Sequence, residues 1–225
     1  MKKALFIRHH TEDHPGLIGE ALAARGFDLE VWMMNEESSV PSLEDVDVLV
    51  VLGSKHAVYD QLVIDAWFGR ELELLAEAVD RDVPVLGICF GAQALCRLFG
   101  GSVAKSQSPE VGWYEVSPVG DSPIARGPWF QFHYDSCTLP KSATVLAVNE
   151  NAVQAFSFGK NLGVQFHPEL DGDQLADWLA GGGDEGARDF GHDLEELLAQ
   201  THAETPAART RANDLVQVFL DQAGL

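Results

Sequence analysis

Pro84-Val85-Leu86-Gly87-Ile88-Cys89-Phe90-Gly91-Ala92-Gln93 is the stretch that decides how this chain folds. An apolar run leads into a cysteine set between two glycines, and a helical pattern follows at once. A strand that turns this sharply into a helix carries one side chain out at the carboxyl edge of a sheet, at a helix amino terminus. The partial positive charge there favours a thiolate. The sequence therefore presents Cys89 as a nucleophile and poses the question of its base.

Outward from that turn, strands and helices alternate. Residues 3–8, 29–33, 46–52 and 83–88 read as strands, and 46–52 is apolar enough to be covered on both faces. Residues 17–25 read as a short helix stopped by Gly26, 63–79 as an amphipathic helix, and 92–99 as the helix after the cysteine. Alternation of this kind predicts an α/β fold: a doubly wound, mostly parallel, flavodoxin-like sheet flanked by helices, with its site at the carboxyl ends of the strands. After Gly100-Gly101 the pattern changes to short strand candidates at 111–119, 129–132, 144–148, 152–156 and 162–166, with a hairpin turn near Gly159-Lys160. A few antiparallel strands at one side of the sheet are expected there. Helical structure begins at 173–179, Gly181-Gly182-Gly183 breaks it, and 184–191 reads as a mobile loop. Two covering helices, 192–202 and 207–222, are expected to close the chain. The organisation read is a single domain over 1–225, with a core of about 1–180 and covering helices over about 184–225.

Hydrophobic residues make up 46% of the 225, enough for a buried core. No apolar run is long enough to span a membrane. The opening Lys2-Lys3 followed by apolar residues resembles the start of a signal peptide, but Arg8-His9-His10 interrupts it, and a first buried strand fits better. A formal net charge of -20 repels nucleic-acid phosphate and anionic lipid, so neither is expected as a partner. Cys89, Cys96 and Cys137 form no even disulfide framework and suit free thiols in the cytoplasm.

A second motif supplies the base. In Gly163-Val164-Gln165-Phe166-His167-Pro168-Glu169, Pro168 holds His167 extended. Residues two apart in an extended segment share a side, so Glu169 can lie beside the imidazole. A carboxylate on one ring nitrogen fixes the tautomer and leaves the other nitrogen to exchange a proton with a thiol. Cys89, His167 and Glu169 then form a triad of nucleophile, acid/base and orienting group.

Gly87 to Gln93 together with Gln165 to Glu169 resembles the class I, triad-type glutamine amidotransferases, over about residues 3–169. Leu52-Gly53-Ser54, Glu110-Val111-Gly112-Trp113 and His133-Tyr134-Asp135 point to the free-standing GMP-synthase-like subgroup. The resemblance implies attack of the cysteine on the side-chain amide of glutamine, loss of ammonia, a γ-glutamyl thioester and release of glutamate by water. It also implies that Gln93 and Val111, Gly112 and Trp113 hold the glutamine. The oxyanion needs backbone donors. Phe90 N–H and the Gly53-Ser54 turn are the candidates, although Leu52-Gly53-Ser54-Lys55-His56 departs from the usual Gly-Gly-Pro-Gly loop of the family.

Other signals are weaker. The loop from His9 to His14 holds metal-ligand side-chain types, but loop spacing alone does not make them converge, and no metal or other cofactor is expected. Lys55 and His56 are expected to face solvent, and the tryptophans and Cys96 to pack. No phosphate loop occurs. The expected activity is hydrolysis of a γ-glutamyl amide, with ammonia passing to a separate acceptor or synthase protein. The alternatives are a stand-alone γ-glutamyl hydrolase acting on a γ-glutamyl amine or peptide, and a non-catalytic reactive-thiol module for ligand binding or sensing.

Overall fold

The computed structural model describes residues 2–36 and 39–225. The apolar alternation of the first segment explains its place. In β1 (Lys2–Arg8), Ala4 and Phe6 enter one core layer, and Leu5 and Ile7 enter the opposite one. β1 is therefore covered on both faces, as are β3 (Val48–Val51) and β4 (Val85–Ile88), in which every residue is buried. With β2 (Phe27–Met33) and β9 (Asn161–Val164) these strands form the parallel half of one nine-stranded sheet, in the order β2-β1-β3-β4-β9.

The sheet continues with antiparallel pairs through β8 (Val153–Phe158), β7 (Thr144–Val148), β5 (Ser102–Pro118) and β6 (Gly127–Thr138). The antiparallel side expected from the sequence is present. β5 begins nine residues before the expected start. Its first half carries Lys105, Ser106, Gln107 and Ser108, so it shows no apolar run, and the ladder with β6 makes it a strand.

The helices lie on both faces. α1 (Gly16–Ala23) and the terminal α7 (Leu194–Ala223) cover one. The other is covered by α3 (Gly69–Asp80) and α4 (Phe90–Leu98). The helix expected over 63–79 starts two residues earlier. Asp60 accepts Leu62 N–H and caps α2 (Gln61–Val63), which widens through a π-turn at Ile64–Phe68 before α3.

Two expectations for the carboxyl-terminal part are corrected. α5 (Gly172–Trp178) leads into a π-turn over Leu179–Gly183, with Gly182 at φ 100°, and 184–191 is not a loop: it holds α6 (Asp184–Asp189), whose Ala187 is buried. The two covering helices are one, because α7 runs straight through Pro206. A proline inside a helix removes one backbone bond. Here the turns on either side are held by packing: before the proline Leu197 is buried in a core cluster and Thr201 accepts from Trp113 Nε1–H, and after it Ala208, Ala212, Leu215, Val216 and Phe219 sit in the core and the Arg25 guanidinium donates to the Asn213 side chain and carbonyl.

Candidate active site

β1, β3, β4 and β9 all end at one edge, and each delivers a polar group there. At the end of β4, Cys89 adopts φ 50°, ψ -101°, a strained conformation for a residue with a β-carbon. Its N–H donates to Val164 O of β9 at 2.8 Å. The flanking glycines are required by close approach. A Cβ on Gly91 would sit 2.2 Å from Val51 O, and one on Gly87 would sit 2.5 Å from Gly91 O. The turn can thus press against β3 only if Gly91 lacks a side chain, and fold back on β4 only if Gly87 does.

His167 follows β9. Its backbone N–H donates to Phe130 O at 2.8 Å, and its Nδ1–H donates to Glu169 Oε1 at 2.8 Å. Glu169 is held in turn, since its carbonyl accepts Leu17 N–H from the first turn of α1 at 2.9 Å. The Trp178 indole meets the His167 ring edge-on at 4.8 Å. His167 Nε2 is buried and makes no hydrogen bond to a nitrogen or oxygen. Burial alone would lower the His167 pKa, but the negative charges of Glu169 and Cys89 raise it well above the ordinary value. Cys89 Sγ accepts Gln165 Nε2–H at 3.6 Å, and Gln165 Oε1 accepts Gln93 Nε2–H at 3.3 Å.

Cys89 and His167 open on a cavity of about 390 Å³ that Gly53, Ser54 and Gln93 also line. Gly53 follows β3 and faces the pair: a Cβ there would lie 2.9 Å from His167 Cε1 and 3.8 Å from Cys89 Cβ. Phe90 is the first residue of α4, so its N–H has no partner within the helix. The structure brings together Cys89, His167, Glu169, Phe90, Gly53, Ser54 and Gln93.

It does not bring Val111, Gly112 and Trp113 to the cavity. The Val111 carbonyl accepts His192 Nε2–H at 2.7 Å, Gly112 packs against the His192 ring, and Trp113 Nε1–H donates to Thr201 Oγ1 of α7. The segment before α7 and α7 itself occupy the side these residues present. Lys55 is exposed, as expected, whereas His56 is half-buried. Both line the cavity, Lys55 Nζ donating to Gly181 O at 3.4 Å and His56 packing against Trp67 and His10. Trp178 is a wall of the cavity as well as a packing residue. Cys96 packs, as expected, with its Sγ 3.7 Å from the carbonyls of Ser102 and Thr138.

Other wall residues come from the His9 to His14 loop and the His133-Tyr134-Asp135 motif. Asp13 is buried there, and burial followed by the nearby Glu169 charge raises its pKa to about 6, against the pull of His9. His10 is lowered to about 4 by burial and then by the charge of Lys55. His133 borders the cavity but is tied down on both nitrogens, by Glu110 Oε2 and by Asp135 O, each at 3.0 Å. Glu110 also accepts from Asn149, Asn151 and Gln154, so this buried network braces the strand that carries Phe132. The Phe132 carbonyl is 4.0 Å from Cys89 Sγ. The glycines of the turn after α5 form the remaining rim. Among the described residues no group of three or more His, Cys, Asp or Glu could hold a metal ion, and no helix is long and apolar enough to cross a membrane.

Comparison with known proteins follows the same lines. The family model "Glutamine amidotransferase class-I" matches residues 16–177. A glutamine-hydrolysing component of the GMP synthase of Sulfolobus acidocaldarius is 35% identical over 152 residues, which are 63% of this chain and 77% of that one. The GMP synthase of Helicobacter acinonychis is 31% identical over 161 residues, 68% of this chain but only 30% of the synthase. Among solved structures, a glutamine amidotransferase from Thermotoga maritima superposes with a TM-score of 0.88 at 24% identity, covering 100% of this chain and 99% of its own. One from Methylobacillus flagellatus gives 0.86 at 23% identity, covering 99% and 95%.

Proposed function

The chain belongs to the class-I glutamine amidotransferase family, and on that premise we propose that it hydrolyses glutamine or a closely related γ-glutamyl amide through a thioester on Cys89. The observation that carries the reading is a buried imidazole, oriented by Glu169 through Nδ1, that lines the same cavity as Cys89 and has the Cys89 side chain as a hydrogen-bond and charge partner. His167 Nε2 takes the Sγ–H proton of Cys89 as Sγ attacks the side-chain carbonyl carbon and an S–C bond forms. His167 Nε2 gives its proton to the departing nitrogen as the C–N bond breaks, so ammonia leaves. The same nitrogen then takes a proton from water as it attacks the thioester, and passes that proton to Sγ as the S–C bond breaks, which returns the thiol and glutamate. Phe90 N–H and the Gly53-Ser54 turn are the proposed donors to the oxyanion of both steps.

Ammonia needs an acceptor. The relatives are named as glutamine-hydrolysing GMP synthases, and by that likeness we assign this chain a separate synthase-type partner. Free cysteines support a cytoplasmic setting. One observation favours a second reading: a cavity of about 390 Å³ lies within the ~300–1,000 Å³ of sites for larger ligands, so a γ-glutamyl amine or peptide would also find room.

Cys89→Ala should abolish glutamate release, lowering kcat by several orders of magnitude, with the fold retained by circular dichroism. Turnover that persists in this variant removes the reading. A screen of glutamine against γ-glutamyl amines and peptides separates the two substrates. A glutamine-like chloroketone should label Cys89 and be blocked by glutamine; thiol oxidation with no such protection would favour a sensing module instead.

A further inference from the structure

Behind the oxyanion turn lies a fully buried pair that the chemistry above does not use. His9, just past β1, and Glu71 of α3 are both 0% exposed. His9 Nδ1 is 2.7 Å from Gly53 O, and His9 Nε2 is 2.8 Å from Glu71 Oε2. A carbonyl oxygen only accepts, and a carboxylate only accepts, so both ring nitrogens donate and the imidazole is a cation beside an anion. The ring is wedged between Trp67 and Phe90, each at 4.9 Å, which fixes its plane.

The Gly53–Ser54 peptide is trans. In a trans peptide the N–H points opposite to the C=O. With Gly53 O drawn back onto His9, Ser54 N–H points the other way, and Ser54 lines the cavity that holds Cys89. A glycine peptide can rotate, because Gly53 has no β-carbon. Rotation would aim a carbonyl, not an N–H, at the developing oxyanion. We propose that His9, itself held by Glu71, is a positioning residue that locks the Gly53–Ser54 peptide with Ser54 N–H toward the oxyanion. Two buried charges are thus paired here to set one backbone orientation, a use in which position outweighs stability.

The proposal rests on the amide-hydrolase reading, and its test separates the two. The double variant His9→Phe/Glu71→Met keeps an aromatic ring against Trp67 and leaves no unpaired buried charge. It is expected to lower kcat for the amide by about 10²–10³-fold, the effect of losing one oxyanion donor, with KM unchanged. Alkylation of Cys89 by iodoacetamide, which forms no oxyanion, should keep its wild-type rate. Glu71→Gln alone should keep kcat near wild type, because the new amide N–H donates to His9 Nε2 and leaves Nδ1–H on Gly53 O; a loss as large as the double variant's would overturn the lock. A wild-type kcat in the double variant, or an equal loss in alkylation, overturns the lock. Should the double variant not fold, ¹⁵N NMR of the wild-type protein decides: a proton on His9 Nδ1 is expected, and a bare Nδ1 overturns the proposal. That measurement needs no turnover, so an enzyme inactive toward every γ-glutamyl amide would sink the proposed function and leave the lock to be judged by the spectrum.

Discussion

Asp13 illustrates how much one side chain at this edge is set by its surroundings. Burial, then the Glu169 charge, raises its pKa from 3.8 to about 6. Between those values the folded chain keeps a proton that the unfolded chain has lost, so stability falls as pH rises from about 4 to about 6. The cost is about 3 kcal/mol once both forms are ionised. Asp13→Asn still accepts the His10 N–H that Asp13 Oδ2 takes and cannot ionise. It should therefore exceed the wild type in stability by up to about 3 kcal/mol above pH 6, with the gain fading below pH 4. Urea midpoints across pH 3 to 8 check this; a gain that grows toward acid pH contradicts it. At this scale the grouping of Cys89, His167 and Glu169 was readable because Cys89 directly follows β4, the His-Pro-Glu segment comes shortly after β9, and His167 and Glu169 alternate across one proline. Gln165 was not, although its amide reaches the Cys89 sulfur. Nothing in a lone glutamine says which of its partners will be a thiol. His9 and Glu71 are 62 positions apart, and only the sheet joins them.

Helices and strands were legible where burial imposed a period. Val48–Val51 and Val85–Ile88 are buried throughout and stood out as apolar runs. The first half of β5 did not, because its side chains meet water and only its backbone is paired. α6 was hidden by the neighbouring glycines, whose conformational freedom normally ends helices. α7 was split on paper by Pro206 and joined in space by its packing. Its start is decided locally: Asp193 Oδ1 accepts the N–H groups of Glu195 and Glu196. Asp193→Ala should cost about 1 kcal/mol in denaturant unfolding, without changing kcat. A loss confined to activity would mean that this cap serves the site and not the helix.

Across the whole molecule, charge is the broadest constraint. A formal net charge of -20 repels itself in the compact state. Raising ionic strength from about 0.01 to 0.1 M shortens the screening length from about 30 to 10 Å, so Tm should rise by a few degrees. A Tm that falls with added salt would show that specific ion pairs outweigh the general repulsion. The cavity also belongs to this scale. Its walls come from the ends of β1, β3 and β4, from β6 and from the turn after α5. Substrate residues read from a linear motif, Val111 to Trp113, were displaced from it because α7 packs on that side.

By itself the sequence determined the alternating α/β layering, the elbow at Cys89 and the pairing of His167 with Glu169, because apolar period and short-range backbone geometry are local properties. Only the tertiary structure decided which side chains wall the cavity, that one helix closes the chain, and that His9, just past β1 and paired with Glu71 of α3, meets the Gly53 carbonyl. Those outcomes depend on contacts between residues far apart in the chain, and such contacts leave no period in the sequence.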